Sequence, residues 1–340
     1  MNNNFICKQD KFFNLWLISL IFLVATMIVV GGLTRLTDSG LSITQWQLFS
    51  GILPPLTEND WISYFNLYKK IPEYKLQNYA MTIQEFKVIF WWEWIHRILG
   101  RIIGLAILLP LVFFTFKIDF KKLINLYFIF FIVCFQGFMG WYMVSSGLTN
   151  RVDVSHFRLS IHLLLAFIIL SSLTWYYFNY KTRLKKNFFK NNLRFVSIKI
   201  FTFLIFIQII FGALVSGLDA GRIYQTWPLM NESYLPDDIN FNNYKEFMNL
   251  NDSSVVQFLH RNIAYLIFFV LIIIGYKVKK QNKKDLYKPY IYLAFFVFIQ
   301  LILGILTLVT NLHIAIASLH QISSIFLILI TLNFYYKSIN

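Results

Sequence analysis

Six histidines occur in the 340-residue chain. Four of them, His96, His162, His260 and His320, fall near the start of long apolar runs, where an ionisable side chain is costly and marks function. His96-Arg97 and His260-Arg261 lie 164 positions apart. Two imidazoles on facing helices can take the opposite axial positions of a haem iron. His96 with His162, and His260 with His320, would form two such pairs, one in each half of the chain. A lone membrane histidine ordinarily does no more than bond a neighbouring helix, but four at matching positions point to a shared task. Zinc and copper fit less well, because no Cys, Met or carboxylate cluster completes a ligand set in either half. His156 and His313 stand in or beside short loops without a consistent partner and read as solvated or interfacial.

Glu93 stands three residues before His96 and shares its helix face. The matching position before His260 is Gln257. Two halves that only relayed electrons would need no such difference. One half therefore reads as the site of chemistry and the other as the holder of a permanent cofactor. Glu93 would move protons or stabilise a cation near the ring, whereas the plainer reading is a partly hydrated carboxylate paired with Arg97. Arg97 and Arg261 are candidates to hold haem propionates, with Arg101 divided between that role and snorkelling to headgroups. Trp91, Trp92 and Trp94 read as interfacial belt residues.

The elements that position these residues are apolar helices. The chain is 57% hydrophobic and 14% charged, against roughly 25% charged in soluble domains. Eight stretches are long enough to cross a bilayer: about 12–32, 90–114, 123–144, 159–179, 196–217, 256–276, 289–310 and 314–336. In lipid the backbone must satisfy its own hydrogen bonds, so an all-α polytopic membrane protein is expected. The net charge of +15 sits in short blocks between the apolar runs. That pattern excludes nucleic acid as a partner and suits basic cytoplasmic loops. The block Lys181, Arg183, Lys185, Lys186, Lys190 and Arg194 follows the fourth span, and Lys277, Lys279, Lys280, Lys283, Lys284 and Lys288 follow the sixth. Both termini are then cytoplasmic, and two large loops, 33–89 and 218–255, face outside together with the histidines. The polar N-terminus lacks a transit segment and leads into a retained first span, which suits a bacterial inner membrane. Cys7 and Cys134 should lie at different depths, so no disulfide is expected.

The halves repeat one another. Gly31, Leu33, Asp38, Gly40 and Trp46 match Gly212, Leu214, Asp219, Gly221 and Trp227 at a constant offset of 181. Gln136 and Gly140 match Gln300 and Gly304 at 164, and His162 matches His320 at 158. The chain therefore reads as two pseudo-symmetric four-helix bundles, 1–195 and 196–340, related as parallel repeats. Two function classes besides a haem enzyme fit this frame. One is a bis-histidine cytochrome exchanging electrons with quinone, and the other a transporter using histidines as proton relays.

Several strings resemble the haem A synthase family in its proteobacterial and mitochondrial form: GGLTRLTDSGLSITQW at 31–46, EWIHRILGR at 93–101, FQGFMGWYMVSSGL at 135–148, RLSIHL at 158–163, FGALVSGLDAG at 211–221, FLHRN at 258–262 and LHQ at 319–321. The resemblance implies oxidation of the C8 methyl of haem O to a formyl group by successive hydroxylations with water-derived oxygen. It implies substrate haem between His96 and His162, a haem b cofactor between His260 and His320, and Glu93 as the essential glutamate. It also implies haem O synthase and cytochrome oxidase assembly factors as partners, with redox equivalents from a further, unidentified partner. Some bacterial members carry cysteine pairs in the outer loops. Neither 33–89 nor 218–255 contains a cysteine here, so the resemblance is to the cysteine-free branch.

Overall fold

The computed structural model describes residues 3–45, 50–189, 196–240 and 243–339, with side chains from residue 11 onward. Its helices are α1 (Asn3–Leu36), α2 (Glu58–Tyr68), α3 (Pro72–Leu76), α4 (Ile83–Thr115), α5 (Phe120–Asn150), α6 (His156–Thr182), α7 (Val196–Gly217), α8 (Tyr244–Phe247), α9 (Ser253–Lys280), α10 (Lys284–Val309) and α11 (Ile314–Ser338). Eight of them are long and apolar enough to cross a membrane. No β-strand forms among the described residues.

The spanning helices coincide with the eight apolar runs and several overrun them; at α4 and α9 the added turns are capped by polar side chains. α4 starts at Ile83, not near 90. Thr82 Oγ1 accepts from the Glu85 amide at 3.3 Å while Glu85 Oε2 accepts from the Thr82 amide at 2.8 Å, a capping box that satisfies two otherwise orphaned donors. α9 starts at Ser253, where Asp252 accepts from the amides of Ser254 and Val255. Large apolar side chains such as Phe22, Phe128, Phe131, Phe203, Phe269 and Phe298 are exposed on these helices. Lipid accommodates such faces; water would not.

The chain divides into two compact units, Met1–Leu173 and Thr174–Asn340. In the first, α4 packs against α1, α2 and α5, and α3 packs against α5. In the second, α7 packs on α9, α9 on α10, α10 on α11 and α11 on α7, closing a ring of four helices. The expected boundary at 195 falls where residues 190–195 lie outside the described residues, as does Trp46 of the repeat. Another repeat pair is directly visible. Asp38 and Asp219 both take left-handed backbone angles, with φ of 48° and 49°. Asp tolerates that region better than most side chains, and in each unit it turns the chain just after a spanning helix, α1 or α7.

The segment between α1 and α4 is more than a loop. Thr57 and Asp60 cap α2 in a second capping box. Trp61, Phe65 and Tyr68 of α2 then bury themselves against Leu41, Ile43, Phe86, Ile89 and Phe90. This apolar cap covers the beginning of α4, two turns before His96.

Candidate active site

His96 on α4 and His162 on α6 face one another, with ring centroids 6.5 Å apart. Neighbouring helices leave room for both rings at glycines. A Cβ on Gly31 of α1 would lie 3.2 Å from His96 Nε2, and one on Gly140 of α5 would lie 3.0 Å from His162 Cε1. Gln136, one turn before Gly140, donates its amide to the His162 carbonyl at 2.9 Å.

The second unit repeats this construction. A Cβ on Gly212 of α7 would meet His260 Cε1 at 3.3 Å, and one on Gly304 of α10 would meet His320 Cε1 at 3.1 Å. Gln208 donates to the His260 carbonyl at 3.1 Å, and Gln300 to the His320 carbonyl at 3.0 Å. Thus each of His96, His162, His260 and His320 sits against a glycine on another helix.

These residues fit a haem. Two metal–imidazole bonds of about 2 Å, plus the distance from each nitrogen to its ring centre, total about 6 Å. The His96–His162 separation matches that span. His162, His260 and His320 each keep a buried Nδ1 with no hydrogen-bond partner among the described residues, and buried polar atoms are rarely left so. His156 and His313 belong to neither pair. His313 is exposed at the start of α11. His156 is buried, which corrects the solvated reading, and its ring packs on Phe157 with centroids 4.2 Å apart.

Glu93 is buried, with both carboxylate oxygens engaged. Oε2 accepts from the Ser42 hydroxyl at 2.7 Å and the Ile43 amide at 2.8 Å. Oε1 accepts from Arg97 Nε at 3.0 Å and Nη2 at 2.5 Å. The cation beside Glu93 is therefore Arg97. Arg97 Nη2 also donates to the Ile43 carbonyl at 2.9 Å, and Arg261 Nη2 donates to the Tyr224 carbonyl at 2.9 Å. Ile43 and Tyr224 are themselves 181 positions apart, so each repeated arginine grips the same point of the segment that follows α1 or α7. Gln257 donates to that same Tyr224 carbonyl at 2.8 Å, whereas Glu93 accepts from the Ile43 amide. The carboxylate-to-amide change thus reverses the direction of one hydrogen bond within a shared framework. Arg97 and Arg101 line a cleft with Ile43, Tyr64, Phe90 and Trp94.

The sequence matches the model of the COX15-CtaA family, described as a cytochrome oxidase assembly protein, over residues 14–332. The chain belongs to this family. It is 48% identical over 334 residues to a Pelagibacter ubique protein named Heme A synthase, covering 97% of each chain. It is 41% identical over 324 residues to the protein of that name from Rickettsia bellii strain OSU 85-389, covering 92% of this chain and 94% of the relative. The like-named Wolbachia pipientis wMel protein is 41% identical over 318 residues, covering 92% and 89%.

Some residues of this COX15-CtaA protein's site were not singled out from its sequence. Ser42 lies inside the matched string 31–46 but carries no charge to draw attention. Gln208 stands four positions before Gly212, the spacing also seen in Gln136–Gly140 and Gln300–Gly304, and that spacing was a usable signal. Glu73 is the third. It is buried on α3, where Tyr68 donates to its Oε1 at 3.2 Å. Burial pushes its carboxyl up to about 8.

Proposed function

We propose that this chain is a haem A synthase, an integral membrane oxidoreductase that converts the C8 methyl of haem O to a formyl group, giving haem A. The observation that carries the activity is the near-full-length match to proteins of that name. Those relatives leave the quinone-linked cytochrome reading without support.

We assign haem O to His96 and His162 because Glu93 stands beside that pair. His260 and His320 hold haem b, which when bound supplies a one-electron redox centre. The protein's own contribution is positioning and proton handling. Glycines 31, 140, 212 and 304 admit the imidazoles. Glu93 and Arg97 bind the outer segment at Ser42 and Ile43 to the helix that carries His96. Inserting a water-derived oxygen into a C–H bond releases two protons and two electrons. The Glu93 carboxylate is the base that receives a proton, held in place by the Ser42 hydroxyl and the Ile43 amide. Electrons leave through a redox partner outside the chain. Arg97 and Arg261 hold propionates at the outer ends of their sites. The protein lies in a bacterial inner membrane with cytoplasmic termini and both sites near the outer face. Haem O synthase and cytochrome oxidase assembly factors are its partners. Co-expression with a haem O source tests the activity: membranes should gain a porphyrin of haem A mass, and haem O alone would refute the reading.

A further inference from the structure

Three of the four histidine-bearing positions share one device. Gln136 on α5, Gln208 on α7 and Gln300 on α10 each stand one helical turn before the glycine that admits the ring. Each donates its side-chain amide across to the carbonyl of the histidine itself, at 2.9, 3.1 and 3.0 Å. A carbonyl oxygen has two lone pairs, so the bond adds to the helix's own ladder. In a membrane, helices are held together by packing and interhelical hydrogen bonds, not by apolar burial from water. Each amide therefore pins a ligand-bearing helix to its neighbour at the level of the ligand. Gln208 and Gln300 also come within 3.3 and 3.4 Å of the Nε2 of their histidines.

The fourth position differs. On α1, one turn before Gly31, the residue is Met27. A thioether has no N–H to give. The Met27 methyl carbon instead lies 3.4 Å from where a Cβ on Gly100 would stand, one turn beyond His96. Met27 and Gln208 are 181 positions apart, the repeat's own offset.

We propose that Gln136, Gln208 and Gln300 are positioning residues that clamp His162, His260 and His320, and that Met27 leaves His96 as the releasable ligand through which haem enters and leaves. This rests on the assignment of substrate to the first unit and cofactor to the second. A substrate site must let go of its product, whereas a resident cofactor site gains from two clamped ligands.

The test exchanges the two residues. Full-length wild-type protein, Met27→Gln and Gln208→Met are purified in detergent and mixed with excess apomyoglobin. The haem that leaves is identified by mass spectrometry, so loss of haem O or haem A reports the first site and loss of haem b the second. Met27→Gln should slow loss of haem O and haem A about five-fold, and Gln208→Met should speed loss of haem b about five-fold, the factor expected for one interhelical hydrogen bond. In each case the other site should keep its wild-type rate. Unchanged rates, or equal changes at both sites as a general packing defect would give, overturn the proposal. If Met27→Gln fails to fold, Gln208→Met decides alone. Wild-type protein that carries no haem O or haem A would instead refute the functional reading beneath it.

Discussion

The Ser42 hydroxyl donates to the Glu93 carboxylate at 2.7 Å, joining the segment after α1 to the helix that carries His96. No such carboxylate exists in the second unit, where Gln257 takes the position and bonds the Tyr224 carbonyl. The difference gives Glu93 a role that replacement can isolate.

Glu93→Gln should fold and retain both haems, because the second unit already accommodates an amide at this position. Formyl production should fall by at least about 100-fold, the usual scale for losing a general base. Haem mass spectra of membranes expressing the variant check this, and normal haem A would remove Glu93 from the chemistry.

Ser42→Ala should act more mildly. It leaves Oε2 with the Ile43 amide and removes one charge-assisted hydrogen bond, worth about 1.5–3 kcal/mol. Haem A formation should slow by about ten-fold or more with haem content unchanged. Loss of haem from the purified variant would show that Ser42 serves binding instead.

Gly304→Ala should disturb the second site alone. Its new Cβ would lie 3.1 Å from the His320 ring, closer than ordinary van der Waals contact, so the imidazole must shift. Reduced haem b with intact haem O binding is expected. A full haem b complement would show that the site has slack there.

The cap formed by α2 and α3 should loosen as pH rises. Burial lifts Glu73 from 4.5 to about 8. Between those values the folded cap binds more protons than the unfolded one, so its stability falls with increasing pH, by at most about ten-fold in the opening constant per pH unit. Above about pH 8 the loss is complete. Hydrogen exchange across α2 and α3 should quicken from pH 5 to 8 beyond its intrinsic rise, and Glu73→Gln should abolish that excess. An equal excess in the variant would exclude Glu73 as the cause.

The eight spans were legible because a bilayer demands long apolar runs and nothing else in the chain supplies them. Their ends were not, since Thr82 with Glu85, and Asp252, extend the helices by capping polar turns that hydropathy alone leaves out. The caps themselves were readable: Thr57-x-x-Asp60 announces α2, yet an outer segment read only as a loop hides it. The four histidine positions were singled out from the repeat, and the pairing of Glu93 with Arg97 was readable from their spacing of four on one helix. The direction of the Glu93 hydrogen bonds to Ser42 and Ile43 and the Gln208–His260 contact were not, because they depend on which segments come to lie side by side.

The central claim is that two histidine pairs hold two different haems. The direct measurement is the porphyrin content, by mass spectrometry, of purified wild-type, His162→Ala and His320→Ala proteins. Haem b together with haem O or haem A is expected in the wild type, with loss of haem O and haem A in His162→Ala and loss of haem b in His320→Ala. Loss of the same haem from both variants, or haem b alone in the wild type, would contradict it.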